Sequence, residues 1–238
     1  MKRNVFISGA SSDLGKEIAK VFASHDYDLI LTYNTNKESL EKLEQELKEY
    51  NVQVDSYHLD ITNEEEIKSI LSNYSNIDIL INNAAYTCDE DLFTKTVDSF
   101  KRVIDTNILG TFLLTRNVGK IMLENKSGSI VNISSTNGID TNYPESIDYD
   151  ASKAAINSMT LNFADSFAPH VRVNAVCPGW INTSINKNLN PNFKKEQEKK
   201  ILLGRFAEPK EIAKTVYNVA TDTYMNKSII RVDGGHHE

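Results

Sequence analysis

Short apolar runs alternate with helical segments along the whole chain, and this alternation limits the possible folds more than any other feature of the sequence. Seven runs have the length and composition of buried β-strands. They lie at residues 5–8, 27–32, 52–59, 77–81, 128–135, 171–176 and 228–232. Strands that are joined through helices run parallel, with right-handed crossovers. The sequence therefore predicts an α/β fold with a mostly parallel, seven-stranded, doubly wound sheet and helices on both faces.

Polar residues cluster where several of these strands end. They are residues 8–15, Asp60, residues 82–85, Ser134, Ser135 and residues 178–183. Ligands on doubly wound sheets bind outside the carboxyl ends of the strands. The sequence therefore predicts a ligand site at this edge of the sheet, within a single domain that spans residues 1–238.

The first of these segments has the pattern of a phosphate-binding loop. Gly9 and Gly15 enclose a turn between the first apolar run and a helical pattern that begins at Lys16. Glycines let the backbone approach a pyrophosphate, and a helix N-terminus offers N–H groups and a positive dipole. Strand, glycine turn and helix in this order predict a Rossmann-like dinucleotide site. For this segment alone, an ordinary strand-to-helix turn is the alternative.

A tyrosine and a lysine four residues apart carry the candidate chemistry. Tyr149 and Lys153 precede a stretch without Gly or Pro until Pro169, which predicts a long helix with both side chains on one face. An ammonium beside a phenol stabilises the phenolate, so we expect the pKa of Tyr149 to fall from about 10 towards neutrality. Such a phenol can donate or accept a proton. The spacing alone is weak, because Tyr33 and Lys37 share it in an Asn/Thr-rich loop where no helix aligns them.

Composition and charge argue against several other classes of protein. The net charge is −7 without a basic block, which argues against a nucleic-acid partner. No apolar run approaches the ~18 residues that span a membrane, and the first apolar run is too short for a signal peptide. Cys88 and Cys177 lie far apart without neighbouring metal ligands, so we expect reduced, structural cysteines and no metal site. We therefore expect a cytoplasmic protein without a membrane partner.

In these motifs and their order, the chain resembles the single-domain members of the short-chain dehydrogenase/reductase family. The resemblance covers essentially the whole chain. It rests on residues 8–15, Asp60, residues 82–85, Asn107, Ser135, Tyr149 with Lys153, residues 178–183 and residues 232–235. A chance match would not reproduce so many separate motifs in the same order.

The resemblance implies a role for each site residue. Tyr149 would be the general acid/base, and Lys153 would hold the nicotinamide ribose and depress the pKa of Tyr149. Ser135 would hydrogen-bond the substrate oxygen, where charge develops, and Asn107 would hold a water in a proton relay. The residues expected to bind the cofactor are Gly9, Ser11, Ser12, Asp13, Leu14, Gly15, Asn34, Lys37, Asp60, Ile61, Asn83, Ala84, Ala85, Tyr149, Lys153, Pro178, Gly179, Ile181 and Thr183.

Two of these roles have alternatives. Ser134 and Ser135 are adjacent in a strand, so only one of them can face Tyr149, and the family pattern favours Ser135. Asn107 could instead mark a helix kink with a bound water and no catalytic task.

The chain departs from the family pattern at two cofactor positions. Asp13 stands where the family has a glycine, and its carboxylate could cap the following helix or repel the pyrophosphate. Ala85 replaces another glycine, and its methyl group could narrow the floor beneath the cofactor.

The resemblance implies an NADP(H)-dependent ketoreductase, most similar to the 3-oxoacyl-acyl-carrier-protein reductases of fatty acid biosynthesis. Residues 184–204 are expected to cover the substrate, which is either a small molecule or bound to a carrier protein. The lysines of this segment form either a solvated helix face or a patch for an acidic carrier or a phosphopantetheine arm. They are Lys187, Lys194, Lys195, Lys199 and Lys200. The alternatives are a sugar or secondary-alcohol dehydrogenase of the same fold, and a sensor or scaffold that has lost turnover through Asp13.

The end of the second strand indicates the form of the cofactor. An NAD site has a carboxylate there, which would repel a 2′-phosphate. This chain has Asn34, Thr35, Asn36 and Lys37, with no acid before Glu38. We therefore expect NADP(H), with a preference of roughly ten- to hundredfold. NAD(H) is the alternative if the carboxylate of Asp13 reaches the ribose.

Surplus apolar residues on two of the predicted helices indicate contacts between subunits. They are Phe112, Leu113, Leu114, Met159, Leu161 and Phe163. Because surplus apolar patches mark interfaces, and the family pairs these helices, we expect a homotetramer.

Overall fold

All seven apolar runs become strands of one sheet. The computed structural model describes residues 2–186 and 189–237. Its strands are β1 (Asn4–Ile7), β2 (Asp28–Tyr33), β3 (Val54–His58), β4 (Ile79–Asn82), β5 (Gly128–Ile133), β6 (Val171–Pro178) and β7 (Ile229–Val232). Each strand pairs in parallel with its neighbours in the order β3-β2-β1-β4-β5-β6-β7. The predicted doubly wound, seven-stranded sheet is confirmed.

Helices connect the strands and cover the sheet. Those within the described residues are α1 (Asp13–Ser24), α2 (Lys37–Leu47), α3 (Glu64–Leu71), α4 (Val97–Ile104), α5 (Thr111–Glu124), α6 (Ile147–Phe167), α7 (Pro191–Lys199) and α8 (Pro209–Thr221). The predicted helix after Tyr149 is α6, and it runs unbroken to Phe167 as the absence of Gly and Pro indicated. Lys187, which the sequence analysis assigned to the lysine patch, lies outside the described residues.

The amphipathic helices build a separate core on each face of the sheet. On one face α1, α2 and α8 bury side chains such as Ile18 and Leu43 against β1 and β2. On the other face α3, α5 and α6 bury side chains such as Ile67 and Val118 against β4 and β5. Each helix has one apolar stripe, so it is stable only when that stripe lies on the sheet. The two cores therefore fix all seven strand ends relative to one another.

The stretch around Asn107 is helical as predicted, but it is not a uniform α-helix. A π-helical turn (Asp105–Gly110) separates α4 from α5. Gly110 lies so close to Ile61 that a Cβ on it would be 2.5 Å from the Ile61 Cγ1 atom. The wide turn and the glycine bring Asn107, which is fully buried, beneath the carboxyl edge of the sheet.

The strand order determines where a ligand can enter. The connections from β1 lead to β2 on one side, and β4 pairs with β1 on the other side. A crevice forms outside the carboxyl ends of neighbouring strands where the winding reverses. The polar residues singled out in the sequence meet at this crevice.

Candidate active site

A deep cleft lies at the carboxyl edge of the sheet. Its volume is about 860 Å³, which is within the range that binds a cofactor-sized ligand. One end is lined by the glycine loop and the residues after β2 and β3, and the other by Ser135, Tyr149 and Lys153. The cleft therefore joins the proposed dinucleotide segment to the proposed chemical group.

The glycine loop forms a cradle at the N-terminus of α1. Gly9 has a φ of 64°, and a Cβ on it would lie 2.8 Å from the Ala84 Cα atom, so only glycine fits there. Ser12 caps α1 by accepting a hydrogen bond from the Gly15 amide at 3.1 Å. Gly9, Ser11, Ser12 and Leu14 line the cleft, whereas Gly15 packs beneath the loop. A helix N-terminus behind a close-packed glycine turn fits a pyrophosphate.

Asn83 holds this loop in place. Its Nδ2 group donates to the Ser8 carbonyl at 3.1 Å, to the Gly9 carbonyl at 2.9 Å and to the Ser12 Oγ at 3.1 Å. Asn83, Ala84 and Ala85 also line the cleft. The end of β4 thus forms the floor of the cradle and sets the shape of the loop above it.

The carboxylate of Asp13 connects the two sides of the cleft. It accepts a hydrogen bond from the Ser184 amide at 2.5 Å. Ser12, and not Asp13, is the capping residue of α1. Asp13 therefore ties the segment after β6 to the glycine loop, and its charge lies in the first turn of α1, near where a pyrophosphate would lie.

The opposite wall at this end comes from the residues after β2 and β3. Asn34, Asp60 and Ile61 line the cleft. Asp60 is oriented by hydrogen bonds from the Thr62 amide at 2.9 Å and the Thr62 hydroxyl at 2.7 Å. Lys37 is not among the lining residues, and its ammonium pairs with Glu41 at 3.3 Å on the surface of α2. The predicted cation for a 2′-phosphate is therefore nearby but engaged elsewhere.

The remaining predicted cofactor residues follow β6. Pro178, Gly179 and Ile181 line the cleft, together with Ser184. Thr183 is not among the lining residues, and its amide donates to the Ile181 carbonyl at 2.8 Å. The end of β6 and the residues after it therefore line the same cleft as the glycine loop and Lys153.

Tyr149 and Lys153 lie one helical turn apart in α6, as predicted. The Lys153 Nζ atom is 5.2 Å from the centroid of the Tyr149 ring and donates to the Ile133 carbonyl at 2.8 Å. Lys153 is almost fully buried. The ammonium thus connects α6 to the end of β5 and lies over the face of the Tyr149 ring.

The expected direction of the Tyr149 pKa shift is wrong for this geometry. Burial raises the pKa of Tyr149 to about 12, and a hydrogen bond with Ser135 opposes this shift only in part. Burial also lowers the pKa of Lys153 to about 8. Removing either group from water disfavours its charged form, and this burial is the largest cause of both pKa shifts. At neutral pH the phenol is therefore protonated and Lys153 is the group nearer to titration.

Ser135, and not Ser134, contacts the phenol. Ser135 lowers the pKa of Tyr149, against the effect of burial, whereas the Ser134 hydroxyl donates to the Lys153 carbonyl at 3.1 Å on the other side of the chain. Strand alternation separates the two side chains in this way. Ser135, Tyr149 and Lys153 therefore form one group at the end of the cleft.

Asn107 is fully occupied by protein partners. Its Oδ1 atom accepts from the Tyr86 amide at 2.7 Å, and its Nδ2 group donates to the Tyr86 carbonyl at 2.9 Å and to the Ser152 hydroxyl at 3.0 Å. These contacts fasten the π-helical turn to α6 and to the segment after β4. The side chain of Asn107 therefore has a structural task next to Tyr149.

The residues that orient Ser135 were not predicted from the sequence. The Ser135 hydroxyl donates to Asn137 Oδ1 at 2.9 Å, and Asn137 Nδ2 donates to Asp150 Oδ1 at 2.6 Å. The other oxygen of Asp150 accepts from the Tyr143 amide at 3.0 Å, and burial raises the pKa of the Asp150 carboxyl. The only sequence signal was proximity, because Asn137 and Asp150 lie next to the predicted Ser135 and Tyr149.

Aromatic residues attach α7 to the same end of the cleft. The Trp180 Nε1 atom donates to the Tyr143 hydroxyl at 3.2 Å, and this hydroxyl donates to Gln197 Oε1 at 3.0 Å. Trp180 also stacks on Phe206 with ring centroids 5.2 Å apart. Helix α7 is therefore fixed beside the chemical group through Tyr143, whose backbone contacts Asp150.

Comparisons with known proteins identify the family. A family model described as enoyl-(acyl carrier protein) reductase matches residues 9–237. The 3-oxoacyl-acyl-carrier-protein reductase FabG of Thermotoga maritima is 36% identical over 236 residues, which cover 96% of this chain and 95% of that protein. The chain belongs to the short-chain dehydrogenase/reductase family. The resemblance that the motifs indicated is thereby confirmed.

Solved structures agree with this membership in the short-chain dehydrogenase/reductase family. ElxO with NADP bound is 29% identical and superposes with a TM-score of 0.88, over 99% of this chain and 98% of that chain. A 3-oxoacyl-acyl-carrier-protein reductase from Brucella melitensis is 27% identical with a TM-score of 0.92, over 99% and 91% of the two chains.

Neither a membrane-spanning helix nor a group of metal ligands is present in the described part of the chain. None of its helices is long and apolar enough to span a membrane. No group of three or more His, Cys, Asp or Glu side chains in residues 2–186 and 189–237 could hold a metal ion.

We predict that Lys153 titrates near pH 8 and that Tyr149 keeps its proton beyond pH 10, because both are buried. NMR of protein labelled with 13C at lysine Cε measures the first value, and the Lys153→Met variant assigns the resonance. Lys37, Lys42 and Lys68, whose pKa values are raised by paired carboxylates, serve as internal controls. The ordinary lysine pKa is about 10.5. A Lys153 pKa at or above that value would contradict this view of the site.

Proposed function

We propose that this chain is an NADP(H)-dependent ketoreductase that acts on a 3-oxoacyl thioester. The observation that carries the proposal is the group formed by Ser135, Tyr149 and Lys153 at one end of a cleft whose other end is a pyrophosphate cradle. The resemblance to 3-oxoacyl-acyl-carrier-protein reductases over nearly the whole chain supports it. The chain would work as one catalytic unit, with residues 184–204 as the segment that covers the substrate.

The glycine loop, Asn83 and the residues after β6 would hold the cofactor, and Lys153 would hold its ribose. When bound, NADPH supplies a hydride to the carbonyl carbon of the substrate. Tyr149 donates its proton to the carbonyl oxygen, because burial keeps the phenol protonated at neutral pH. Ser135, whose hydroxyl donates to Asn137 Oδ1 in this structure, would turn its proton to the same oxygen, where negative charge develops. A water that returns a proton towards Tyr149 would contact the backbone carbonyl of Asn107, since its side chain is already occupied.

A substrate panel tests the proposed activity. NADPH oxidation is followed with acetoacetyl thioesters, with sugars and with simple ketones at equal concentration. We expect the highest kcat/KM with the thioester. Faster turnover of the sugar or simple ketone would favour the secondary-alcohol dehydrogenase alternative. Tight NADPH binding without turnover of any substrate would favour a sensor.

We propose that a carrier protein delivers the substrate to the face that bears α7. Lys195 and Lys199 are exposed on this helix. The relative from Thermotoga maritima is named as a reductase of 3-oxoacyl groups on the acyl carrier protein. The ammonium groups of Lys195 and Lys199 can attract an acidic partner although Glu196 is exposed on the same helix and the chain carries a net charge of −7. As part of this proposal we place the chain in the cytoplasm.

We also propose a homotetramer. Phe93, before α4, and Val97, its first residue, are 93% and 81% exposed, and Leu109 is 42% exposed in the π-helical turn. Leu113 and Leu114, which the sequence indicated as part of this interface, are instead buried in the core because they pack against the sheet. Exposed apolar side chains along paired helices are typical of interfaces between copies. Light scattering at micromolar concentration should give four times the mass of 26.8 kDa, and a monomer mass would contradict the proposal.

We predict that Tyr149→Phe reduces turnover by at least about a thousandfold, because the variant lacks the phenolic proton that the proposed reduction uses. The Kd for NADPH should change by less than about threefold, since the ring remains. Tyr33→Phe is the matched control, because Tyr33 has a lysine at the same spacing but no helix. Near-normal kcat in Tyr149→Phe at saturating NADPH would show that another group donates the proton.

We predict a preference for NADPH over NADH of about tenfold or more in kcat/KM. Asn34 and Thr35 line the cleft beside the start of α2, whose N-terminus favours an anion. The Lys37→Met variant should lose part of the preference if the ammonium leaves Glu41 for the 2′-phosphate. Equal values for the two cofactors would contradict the prediction and show that Asp13 or another group controls this end of the cleft.

A further inference from the structure

A buried ion pair lies directly beside Tyr149 and is not part of the proposed chemistry. The Lys95 Nζ atom is 2.9 Å from Asp148 Oδ2, and the two side chains are only 4% and 0% exposed. Lys95 belongs to the segment between β4 and α4, whereas Asp148 lies in the first turn of α6. The pair therefore connects one wall of the cleft to the helix that carries Tyr149.

The pair also reaches the backbone of Tyr149. Asp148 Oδ1 accepts a hydrogen bond from the Tyr149 amide at 2.9 Å. Amides in the first turn of a helix have no intrahelical acceptor, and Ser146, the N-cap residue of α6, makes no side-chain capping bond. Asp148 supplies the missing acceptor, and Lys95 fixes the orientation of its carboxylate.

Further bonds join the same two segments. Lys95 Nζ donates to the Cys88 carbonyl at 2.6 Å. The Ser146 hydroxyl donates to Asp89 Oδ1 at 2.8 Å, and the Glu90 amide donates to the Glu145 carbonyl at 3.1 Å. The segment after β4 is thus bonded to the start of α6 at several points, with the ion pair as the innermost one.

Stability alone does not account for this arrangement. The free energy needed to remove two charges from water offsets much of the free energy gained from their attraction. A protein with an apolar pair of similar size in their place is therefore often as stable. What an ion pair with defined partners adds is orientation. Here the oriented group is the first turn of α6, and Tyr149 is the residue next to Asp148.

We propose that Lys95 and Asp148 are positioning residues that hold the Tyr149 phenol against Ser135 and the substrate oxygen. The inference rests on the proposed function, in which Tyr149 is the proton donor. Small displacements of a reacting group reduce the rate strongly, even when binding is retained. Loss of the pair should therefore lower kcat more than it raises any KM.

The test is the double variant Lys95→Met with Asp148→Asn, which removes both charges and retains an oxygen to accept the Tyr149 amide. We expect kcat with acetoacetyl thioester to fall at least about tenfold, while the Kd for NADPH, from its fluorescence, stays within about twofold. Hydrogen exchange of a peptide covering residues 145–153 should become faster, and that of residues 156–167 should not change. Lys95→Arg, which retains the charge, should preserve most of kcat.

The matched control removes another ion pair from the same helix. Lys227 Nζ lies 2.7 Å from Asp165, near the end of α6 and far from Tyr149. The double variant Lys227→Met with Asp165→Asn should retain kcat, and exchange in residues 145–153 should stay as in the parent. A fall in kcat in this control equal to that of the test variant would overturn the proposal.

The remaining outcomes are distinguishable. If the parent turns over no substrate, the proposed function fails, and faster exchange confined to residues 145–153 still supports the positioning role. Parent-like kcat and exchange in the double variant overturn that role, as does faster exchange along the whole of α6. If the double variant does not fold, Lys95→Gln, which can still hydrogen-bond both partners, is measured in the same way with the same expected direction.

Discussion

The hydrogen bond from the Lys153 ammonium to the Ile133 carbonyl oxygen is the contact on which the rest of the site depends. It joins α6 to the end of β5, two residues before Ser135, and so sets Tyr149 and Ser135 relative to each other. The ammonium is buried, which lowers the pKa of Lys153 to about 8. The same burial raises the pKa of Tyr149 to about 12. The phenol therefore holds a proton that it can donate during reduction. As the pH rises, Lys153 loses its charge before Tyr149 loses its proton.

The parallel sheet positions the other half of the site, which is the cradle for the cofactor. Because all strands run parallel, their carboxyl ends meet at one edge, where the glycine loop and the floor formed by Asn83 face the Tyr149 group across one cleft. Asp13 connects the glycine loop to the segment after β6. The cradle and the chemical end are thus parts of one rigid framework, which supports the interpretation of the chain as a reductase of the short-chain dehydrogenase/reductase family.

Much of this architecture follows from the sequence, because strand and helix periodicity and the order of motifs depend on local pattern. The parallel sheet, the long helix after Tyr149 and the proximity of Ser135 to that residue were predictable in this way. The direction of the Tyr149 pKa shift was not, since it depends on burial and on where the Lys153 ammonium points. Lys95 and Asp148 are 53 residues apart, and no periodicity relates them, so only the folded chain shows their contact. The bonds from Asn137 to Asp150 escaped prediction because two common polar residues near a motif carry no distinctive spacing.

The central claim is that this chain moves a hydride from the cofactor to a carbonyl carbon while Tyr149 protonates the oxygen. The most direct measurement uses NADPH deuterated at the transferable C4 position in a single turnover with acetoacetyl thioester, followed by mass spectrometry of the product. The account predicts one deuterium on the carbinol carbon of a 3-hydroxyacyl product. A product without deuterium at that carbon, or bound NADPH that is never oxidised in the presence of the panel of carbonyl compounds, would contradict it.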